Sequence, residues 1–251
     1  MSKSDKESNP VDLSRRKFLG KSIGATAAVS IAPGVVLYDV AQAKANHDMA
    51  SSKNRWGMLI DSNKCKSDCD KCVTACAKEN GWDHQPNQRA ETKVQWIRKV
   101  DLKDKATGHQ TSLPVMCQHC EHPPCVDVCP TGASFKRNDG IVLVDKHICI
   151  GCRFCMMACP YKARSFVHGP VEGRKWYIPR GMGTVESCTM CVHRIDRDKI
   201  PACAEACPEG AIVFGDLKDP YSDISRRLAK YPSTAIREDL ELNPGLRYEG
   251  I

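Results

Sequence analysis

The sequence has little of what most protein classes depend on. Aromatic residues make up only 6% of its 251 residues, so few large apolar side chains are available for an ordinary core. After the first 43 residues, no stretch is long and apolar enough to span a membrane. The formal charge is +7, but no basic run is interleaved with aromatic residues, so nucleic-acid binding has no support.

Motifs for organic cofactors and for catalysis are also missing. Because the chain has neither a GxGxxG sequence nor a P-loop, nicotinamide, flavin and ATP binding have no motif. Cys188-Thr-Met-Cys191 is followed by Val192 instead of histidine, which argues against a covalently attached c-type haem. No set of residues suits bond-making chemistry, so we predict a chain that is not itself catalytic.

Cysteine is abundant, with sixteen in the chain. The central run is Cys149-Ile-Gly-Cys152-Arg-Phe-Cys155-Met-Met-Ala-Cys159-Pro160, with the C-x2-C-x2-C-x3-C-P spacing of bacterial 4Fe–4S ferredoxins. Three thiolates in such a loop bind three irons of one cubane, and the fourth ligates the other cluster of a pair. Neither a disulfide pair nor a zinc site needs cysteines at i, i+3 and i+6. The run therefore predicts cluster binding.

Three further runs account for the other cysteines, so all sixteen fall into four groups of four. The count matches four 4Fe–4S clusters. The two runs in the middle of the chain predict one two-cluster ferredoxin module, because the last cysteine of each run serves the partner cluster. Its clusters would be held by Cys117, Cys120, Cys125 and Cys159, and by Cys129, Cys149, Cys152 and Cys155.

The N-terminal segment reads as an export signal. Residues 14–20, Ser-Arg-Arg-Lys-Phe-Leu-Gly, resemble the twin-arginine consensus, residues 22–38 are uncharged, and residues 41–43 form an Ala-x-Ala cleavage site. The uncharged stretch falls short of the roughly 20 strongly apolar residues of a membrane span. We predict that residues 1–43 are a twin-arginine signal peptide, with retention as an uncleaved anchor as the alternative. This route exports folded proteins, which suits a protein that acquires clusters in the cytoplasm.

Short apolar segments between the runs predict short strands and small helices. Strands are expected at 55–61, 94–100, 141–144 and, less strongly, 175–178, with a turn over 101–109. Helices are expected at 72–80, closed by Gly81, and at 222–230, followed by an extended segment over 244–248. His119 and His122 are expected to be exposed, and Met156, Met157 and Met190 to pack around clusters. Arg153 could raise a cluster potential or be solvated.

The four runs resemble those of the four-cluster ferredoxin-like subunits of membrane-associated respiratory complexes, such as the β-subunits of polysulfide, tetrathionate and dimethyl-sulfoxide reductases and of formate dehydrogenases. The phrases Cys-Gln-His-Cys-Glu-His-Pro-Pro-Cys and Pro-Ala-Cys-x3-Cys-Pro-x-Gly-Ala carry the resemblance, which covers residues 55–216. Within this family the chain is most similar to the DsrO group, the exported iron–sulfur subunits of DsrMKJOP complexes. The twin-arginine signal, Arg-Trp-Gly-Met-Leu-Ile-Asp and the C-x3-C opening gap point to that group.

This resemblance implies an α+β polyferredoxin fold of two tandem bacterial-ferredoxin-like modules with short strands, small helices and long cluster-binding loops. The outer module would comprise residues 44–116 and 180–216, the inner module residues 117–179, and residues 217–251 a tail that wraps the domain. The resemblance also implies that the outer runs pair across the chain. One outer cluster would then be held by Cys65, Cys69, Cys72 and Cys207, and the other by Cys76, Cys188, Cys191 and Cys203.

The function implied is that of a periplasmic electron-transfer subunit at the inner membrane, with four 4Fe–4S clusters. It would relay electrons between a quinone-interacting, NrfD-like membrane subunit and a multihaem cytochrome c in dissimilatory sulfur metabolism. The alternative is the β-subunit of a molybdenum oxidoreductase, whose neighbour would be a molybdenum subunit. A disulfide-rich binding module and a zinc protein are the remaining alternatives.

Overall fold

The computed structural model describes residues 50–82 and 89–251 of the chain. The predicted signal peptide of residues 1–43 lies outside the described residues. Short strands and mostly one-turn helices alternate, and the predicted α+β class is confirmed. In chain order the elements are β1 (Trp56–Asp61), α1 (Lys71–Asn80), β2 (Ile97–Lys103), β3 (Gln110–Met116), α2 (Pro124–Asp127), β4 (Ser134–Lys136), β5 (Val142–Val144), α3 (Phe154–Ala158), β6 (Arg164–Phe166), β7 (Val185–Ser187), α4 (Val192–Ile195), α5 (Ala202–Glu205), β8 (Ile212–Asp216), α6 (Asp223–Lys230) and β9 (Leu246–Glu249).

Strand β1 is the centre of a three-stranded sheet and brings the two ends of the described chain together. It pairs antiparallel with β8, placing Met58 opposite Phe214, and parallel with β9, placing Met58 opposite Leu246. Met58, Leu59 and Ile60 are at most 1% exposed, so this strand is apolar on both faces, as a buried central strand must be. Gly57 is required beside β9, because a Cβ atom there would lie 2.5 Å from the carbonyl oxygen of Gly245.

The remaining strands form three antiparallel pairs, β2 with β3, β4 with β5, and β6 with β7. The turn expected over residues 101–109 is shorter than predicted, since β2 continues to Lys103 and pairs there with Gln110. The strand expected at residues 175–178 is wrong. The backbone N–H of Ile178 donates to the carbonyl of Lys175 and closes a turn, so this apolar segment has no strand partner.

The longer helices begin and end where the sequence predicts. Helix α1 ends at Gly81, which has the left-handed φ of 64° that suits glycine. Helix α6 begins after Ser222, whose hydroxyl accepts a hydrogen bond from the backbone N–H of Ser225. The other helices are about one turn long and serve mainly to place cysteines.

The core is built in large part from cysteine. Its main apolar cluster packs Trp96, Met58, Ile60 and Leu113 together with seven cysteines, which agrees with the low aromatic content. Over the described residues, no helix has the length and apolarity needed to cross a bilayer. The seven cysteines are Cys72, Cys76, Cys117, Cys120, Cys159, Cys188 and Cys203.

Arg227 attaches the C-terminal helix α6 to the sheet. It donates to Asp61 on β1 at 2.6 Å and to Glu249 on β9 at 2.8 Å, and both carboxylates are nearly buried. Arg227→Met removes this cation from two buried carboxylates, although Asp61 keeps Lys64 at 3.5 Å. We therefore expect the substitution to lower the free energy of unfolding by roughly 3 kcal/mol.

Thermal unfolding of the iron-loaded protein measures this effect. The matched control is Arg226→Met on the same helix, because the Arg226 side chain is 66% exposed and pairs with an exposed carboxylate of Asp223. Loss of the Arg226 side chain should lower the free energy of unfolding by less than about 0.5 kcal/mol. Equal unfolding temperatures for the two variants would contradict the role given to Arg227.

Candidate iron–sulfur centres

All sixteen cysteines are free thiols, and the structure collects most of them around small cavities. Cys65, Cys69, Cys72 and Cys207 line the first cavity, here called group 1. Three of these residues come from the loop before α1 and its first turn. Cys207 follows α5, more than 130 residues away in sequence, and reaches the same cavity because β8 pairs with β1.

The second cavity is surrounded by buried cysteines. It is lined by Cys76, Cys188, Cys191 and Cys203, here called group 2, and all four thiols are buried. Met58, Met116, Met190 and Trp96 complete its walls. The cysteines come from α1, from the end of β7 and the start of α4, and from α5.

The third cavity is lined by Cys117, Cys120, Cys125 and Cys159, here called group 3. These four thiols are also buried. Arg164 and Tyr161 lie in the same wall, next to Cys159 in the sequence. The three cavities thus each bring together one of the four-cysteine sets that the sequence and the family resemblance predict.

Cys129, Cys149, Cys152 and Cys155, here called group 4, are the most exposed set. Cys155 is buried, Cys129 and Cys149 are half-buried, and Cys152 is exposed. Cys155 and the partly buried Cys149 pack in one small apolar cluster. Burial raises the pKa of Cys155, and the nearby Cys149 and Cys129 add to the rise. The structure therefore brings three members of this group together and leaves Cys152 at the surface of its loop.

Pairs of cysteines four residues apart link neighbouring groups. Cys72 lines the first cavity and Cys76 the second, one turn further along α1. Cys203 lines the second cavity and Cys207 the first. Because residues at i and i+4 lie side by side on a helical turn, two cavities that share such a pair must be adjacent.

N–H groups donate to cysteine sulfur in every group, which favours the thiolate form. Arg164 Nη2 lies 3.0 Å from Cys125 Sγ, and Trp82 Nε1 lies 3.4 Å from Cys76 Sγ. The backbone N–H of Ala211 donates to Cys207 Sγ, and that of Met190 donates to Cys188 Sγ, both at 3.3 Å. In group 4 the backbone N–H of Ser134 donates to Cys129 Sγ at 3.3 Å, and that of Val185 donates to Cys149 Sγ at 3.5 Å.

The protein alone does not ionise most of these thiols. Burial raises the pKa of Cys72 to about 11 and the pKa values of Cys76, Cys117 and Cys120 to about 12. At Cys129 burial acts in the same direction, but hydrogen bonds from Ser134, Thr131 and Ala133 outweigh it and lower the pKa. Ionisation of the thiols whose pKa is raised therefore requires bound cations, which the irons of a cluster would provide.

The arrangement fits a cubane cluster better than a single metal ion. Across residues 50–82 and 89–251, no three His, Cys, Asp or Glu residues lie close enough to share one ion. The four sulfurs of a tetrahedral zinc site are about 3.8 Å apart, given Zn–S bonds of about 2.3 Å. A cubane instead takes one thiolate at each of four separate irons. The residues present thus suit 4Fe–4S clusters.

His119 differs from the prediction that it is exposed. It is 2% exposed, and its Nδ1 accepts a hydrogen bond from the backbone N–H of Val142 at 3.0 Å. Burial, assisted by the charge of Arg164, lowers the pKa of His119 to about 3, so the ring is neutral. Its Nε2 is a buried donor without a partner among the described residues. His122 is exposed, as predicted.

The methionine prediction is confirmed in part. Met190 is fully buried in the wall of the second cavity, and Met156 packs beside Cys155. Met157 is 66% exposed, so for this residue the prediction is wrong. It lies on the solvent face of α3, whose few residues cannot bury both methionines.

Three residues near the thiols were missed from the sequence. Asn80 Nδ2 and Trp82 Nε1 both donate to Cys76 Sγ, and Arg164 donates to Cys125 Sγ. Asn80 could have been found, because it stands four residues after Cys76 on a predicted helix. Arg164 and Cys125 are 39 residues apart, and no sequence pattern relates them.

Comparison with known proteins agrees with this chemistry. Residues 109–217 match the family described as a 4Fe-4S dicluster domain. The chain is 42% identical to the Hdr-like menaquinol oxidoreductase iron-sulfur subunit 1 of Archaeoglobus fulgidus, over 94% of this chain and 97% of that one. It is 37% identical to a tetrathionate reductase subunit of Salmonella typhimurium, over 96% and 90%, and 35% identical to protein NrfC of Escherichia coli, over 93% of each. The chain therefore belongs to the family of 4Fe–4S ferredoxin-like subunits of respiratory complexes.

Proposed function

We propose that this iron–sulfur subunit holds four 4Fe–4S clusters in a row and conducts electrons along them between two partner proteins. The observation that carries the proposal is the division of sixteen free thiols into four groups of four, three of which line separate cavities. The ligands of the four clusters would be groups 1, 2, 3 and 4. The bound clusters would supply one-electron transfer, and the chain would supply spacing, insulation and control of potential.

Charge interactions between thiols of neighbouring groups support the order 1–2–3–4. Cys72 of group 1 adds to the effect of burial in raising the pKa of Cys203 of group 2, which places these two groups near each other. Cys117 of group 3 likewise adds to the rise in the pKa of Cys188 of group 2, which places these two groups near each other. Cys155 adds to the rise in the pKa of Cys125 and joins groups 4 and 3.

The exposure of the groups supports entry and exit at the two ends of this row. Groups 2 and 3 are buried, whereas Cys65 and Cys69 in group 1 are half-buried and Cys152 in group 4 is exposed. Around Cys152 the side chains of Ile150, Phe154 and Met157 are 67%, 50% and 66% exposed. Partly exposed thiols suit electron exchange with a partner, so groups 1 and 4 would be the points of entry and exit.

The fold is proposed to contain two modules. The outer module would comprise residues 44–116 and 180–216, and the pairing of β1 with β8 supports it. The inner module would comprise residues 117–179, and the β4–β5 pair lies within it. Strand β7 pairs with β6 and would join the two modules. Residues 217–251 would wrap the outer module, which the pairing of β9 with β1 supports.

Similarity to a subunit of a menaquinol oxidoreductase supports a quinone-linked partner. We propose an NrfD-like membrane subunit at one end of the row and a multihaem cytochrome c at the other, as in DsrMKJOP complexes of sulfur metabolism. Similarity to a subunit of a tetrathionate reductase favours a second candidate, in which a molybdenum subunit takes the place of the cytochrome. The sequence of residues 1–43 supports a periplasmic location reached by the twin-arginine route.

Iron and acid-labile sulfide analysis of anaerobically purified protein tests the cluster count. We expect about sixteen irons and about sixteen sulfides per chain, four of each in every cubane. A redox titration followed by electron paramagnetic resonance should then resolve four one-electron centres. About eight irons per chain, zinc without sulfide, or cystines in place of free thiols would each contradict the proposal.

A further inference from the structure

Arg164 is a buried cation placed between two groups of thiols. It belongs to β6, is 5% exposed, and donates through Nη2 to Cys125 Sγ of group 3 at 3.0 Å. Its Nη1 donates to the hydroxyl of Ser134 on β4, which holds the guanidinium in place. Its charge also acts on Cys117 of group 3 and on Cys155 of group 4. Cys155 packs in the same small cluster as Cys125, so one guanidinium contacts a ligand of group 3 and lies beside a ligand of group 4.

No carboxylate among the described residues balances the charge of Arg164. Within the described ranges 50–82 and 89–251, no Asp or Glu forms an ion pair with it, and its Nε has no hydrogen-bond partner. The other fully buried arginine of these ranges, Arg180, is different, because it pairs with the buried carboxylate of Glu186 at 3.0 Å. A buried charge without a partner is strongly unfavourable, so an anion must compensate Arg164. The thiolates of groups 3 and 4 are the anions that the described part of the chain places beside it.

We propose that Arg164 sets the reduction potentials of the clusters held by groups 3 and 4, raising both by balancing the negative charge that each gains on reduction. The inference rests on the proposed function and goes beyond it, because it assigns a residue that controls where electrons reside along the row. Arg164 is a positioning residue here, since it acts through the ligand sulfurs.

The physical basis is the charge of the cluster. A 4Fe–4S core with four thiolates carries −2 when oxidised and −3 after it accepts one electron. A fixed positive charge at hydrogen-bond distance stabilises the −3 form more than the −2 form, and low local dielectric strengthens the effect. In group 2, by contrast, Cys76 receives its hydrogen bonds from the neutral side chains of Asn80 and Trp82.

Arginine suits this position for a second reason. A guanidinium keeps its proton throughout the range in which proteins are stable. Arg164 therefore supplies a positive charge that does not change with pH over that range.

The test is a redox titration of Arg164→Gln in the full-length, cluster-loaded protein, followed by electron paramagnetic resonance. We expect iron content equal to that of the wild type, two midpoint potentials lowered and two unchanged. The fall should correspond to at least a tenfold change in the reduction equilibrium, which is about 59 mV for a one-electron couple. Arg164→Lys keeps a positive charge at this position and should stay close to the wild type at neutral pH.

Two further variants keep the inference open to refutation. Arg137→Gln is the charge-matched control, because Arg137 pairs with the carboxylates of Asp139 and Asp196. It should shift none of the four midpoint potentials by as much as about 59 mV. If Arg164→Gln fails to assemble, Ser134→Asp neutralises the guanidinium without removing it and should lower the same two potentials. Normal iron content with four unchanged potentials in either variant would overturn the role of Arg164 while leaving the four-cluster function intact. If Arg164→Lys lowered the two midpoint potentials as much as Arg164→Gln at neutral pH, the role of Arg164 would also be overturned.

Discussion

Replacement of Cys203 by alanine is expected to remove one cluster from the interior of the row and to stop electron transfer from one end to the other. Cys203 lines the second cavity with Cys76, Cys188 and Cys191, and all four are buried. Three thiols cannot complete the set of four cysteine ligands that a cubane needs. The buried site would then hold protonated thiols with no cluster to pack against, so the protein should also become markedly less stable.

Iron analysis should show about twelve irons per chain in Cys203→Ala, since each cubane contributes four. Reduction of the group 4 cluster by a donor that reacts only at the group 1 end should be abolished. The control is Glu205→Ala on the same helix, because that carboxylate is 59% exposed and pairs with Arg194. It should retain about sixteen irons and normal transfer. Retention of end-to-end transfer by Cys203→Ala would refute the proposed order of the clusters.

Replacement of Cys207 by alanine is expected to remove a different cluster, although Cys207 is only four residues from Cys203. Its thiol lines the first cavity, with Cys65, Cys69 and Cys72. The lost cluster would therefore be the one held by a loop far away in the sequence. Because Cys207 is half-buried and its cavity lies near the surface, the protein should stay folded and keep the other three clusters.

Comparison of the two variants by electron paramagnetic resonance tests the crossed pairing of the outer runs. Cys203→Ala and Cys207→Ala should each lack one signal, and the missing signals should have different midpoint potentials. In Cys207→Ala the group 4 end should still exchange electrons, whereas reduction from the group 1 end should fail. Loss of the same signal in both variants would show that residues 188–207 hold a cluster of their own, and the proposed pairing would be wrong.

The positions of the ligand loops and of the longer helix ends could be predicted from the sequence. Spacing and proline positions predict where each ligand loop lies, because a loop that wraps an inorganic core needs cysteines at short fixed intervals. The end of α1 at Gly81 and the start of α6 after Ser222 follow from capping preferences that act within a few residues. Assignment of thiols to particular clusters stays a prediction, supported by three cavities lined by the predicted sets.

Long-range relations outside the cysteine runs could not be predicted from the sequence. His119 was expected to be exposed because it lies in a polar ligand loop, yet Val142 from β5 covers it and binds its ring nitrogen. Residues 175–178 look like a strand, but no neighbouring strand among the described residues pairs with them. Among the arginines, the sequence drew attention to Arg153 within a ligand loop. In the structure Arg153 is exposed and lies over the ring of Phe166.

The sequence alone therefore determined the kind of chemistry, four cysteine runs with cluster-binding spacing, because metal ligation depends on residue type and local spacing. Only the tertiary structure showed that Arg164 donates to the sulfur of Cys125, 39 residues away in the sequence, and its three cavities support the predicted pairing of the runs. The reason is physical. Pairing of β1 with β8 and of β6 with β7 joins segments far apart in the chain, and electrostatic effects on a cluster depend on distance through space.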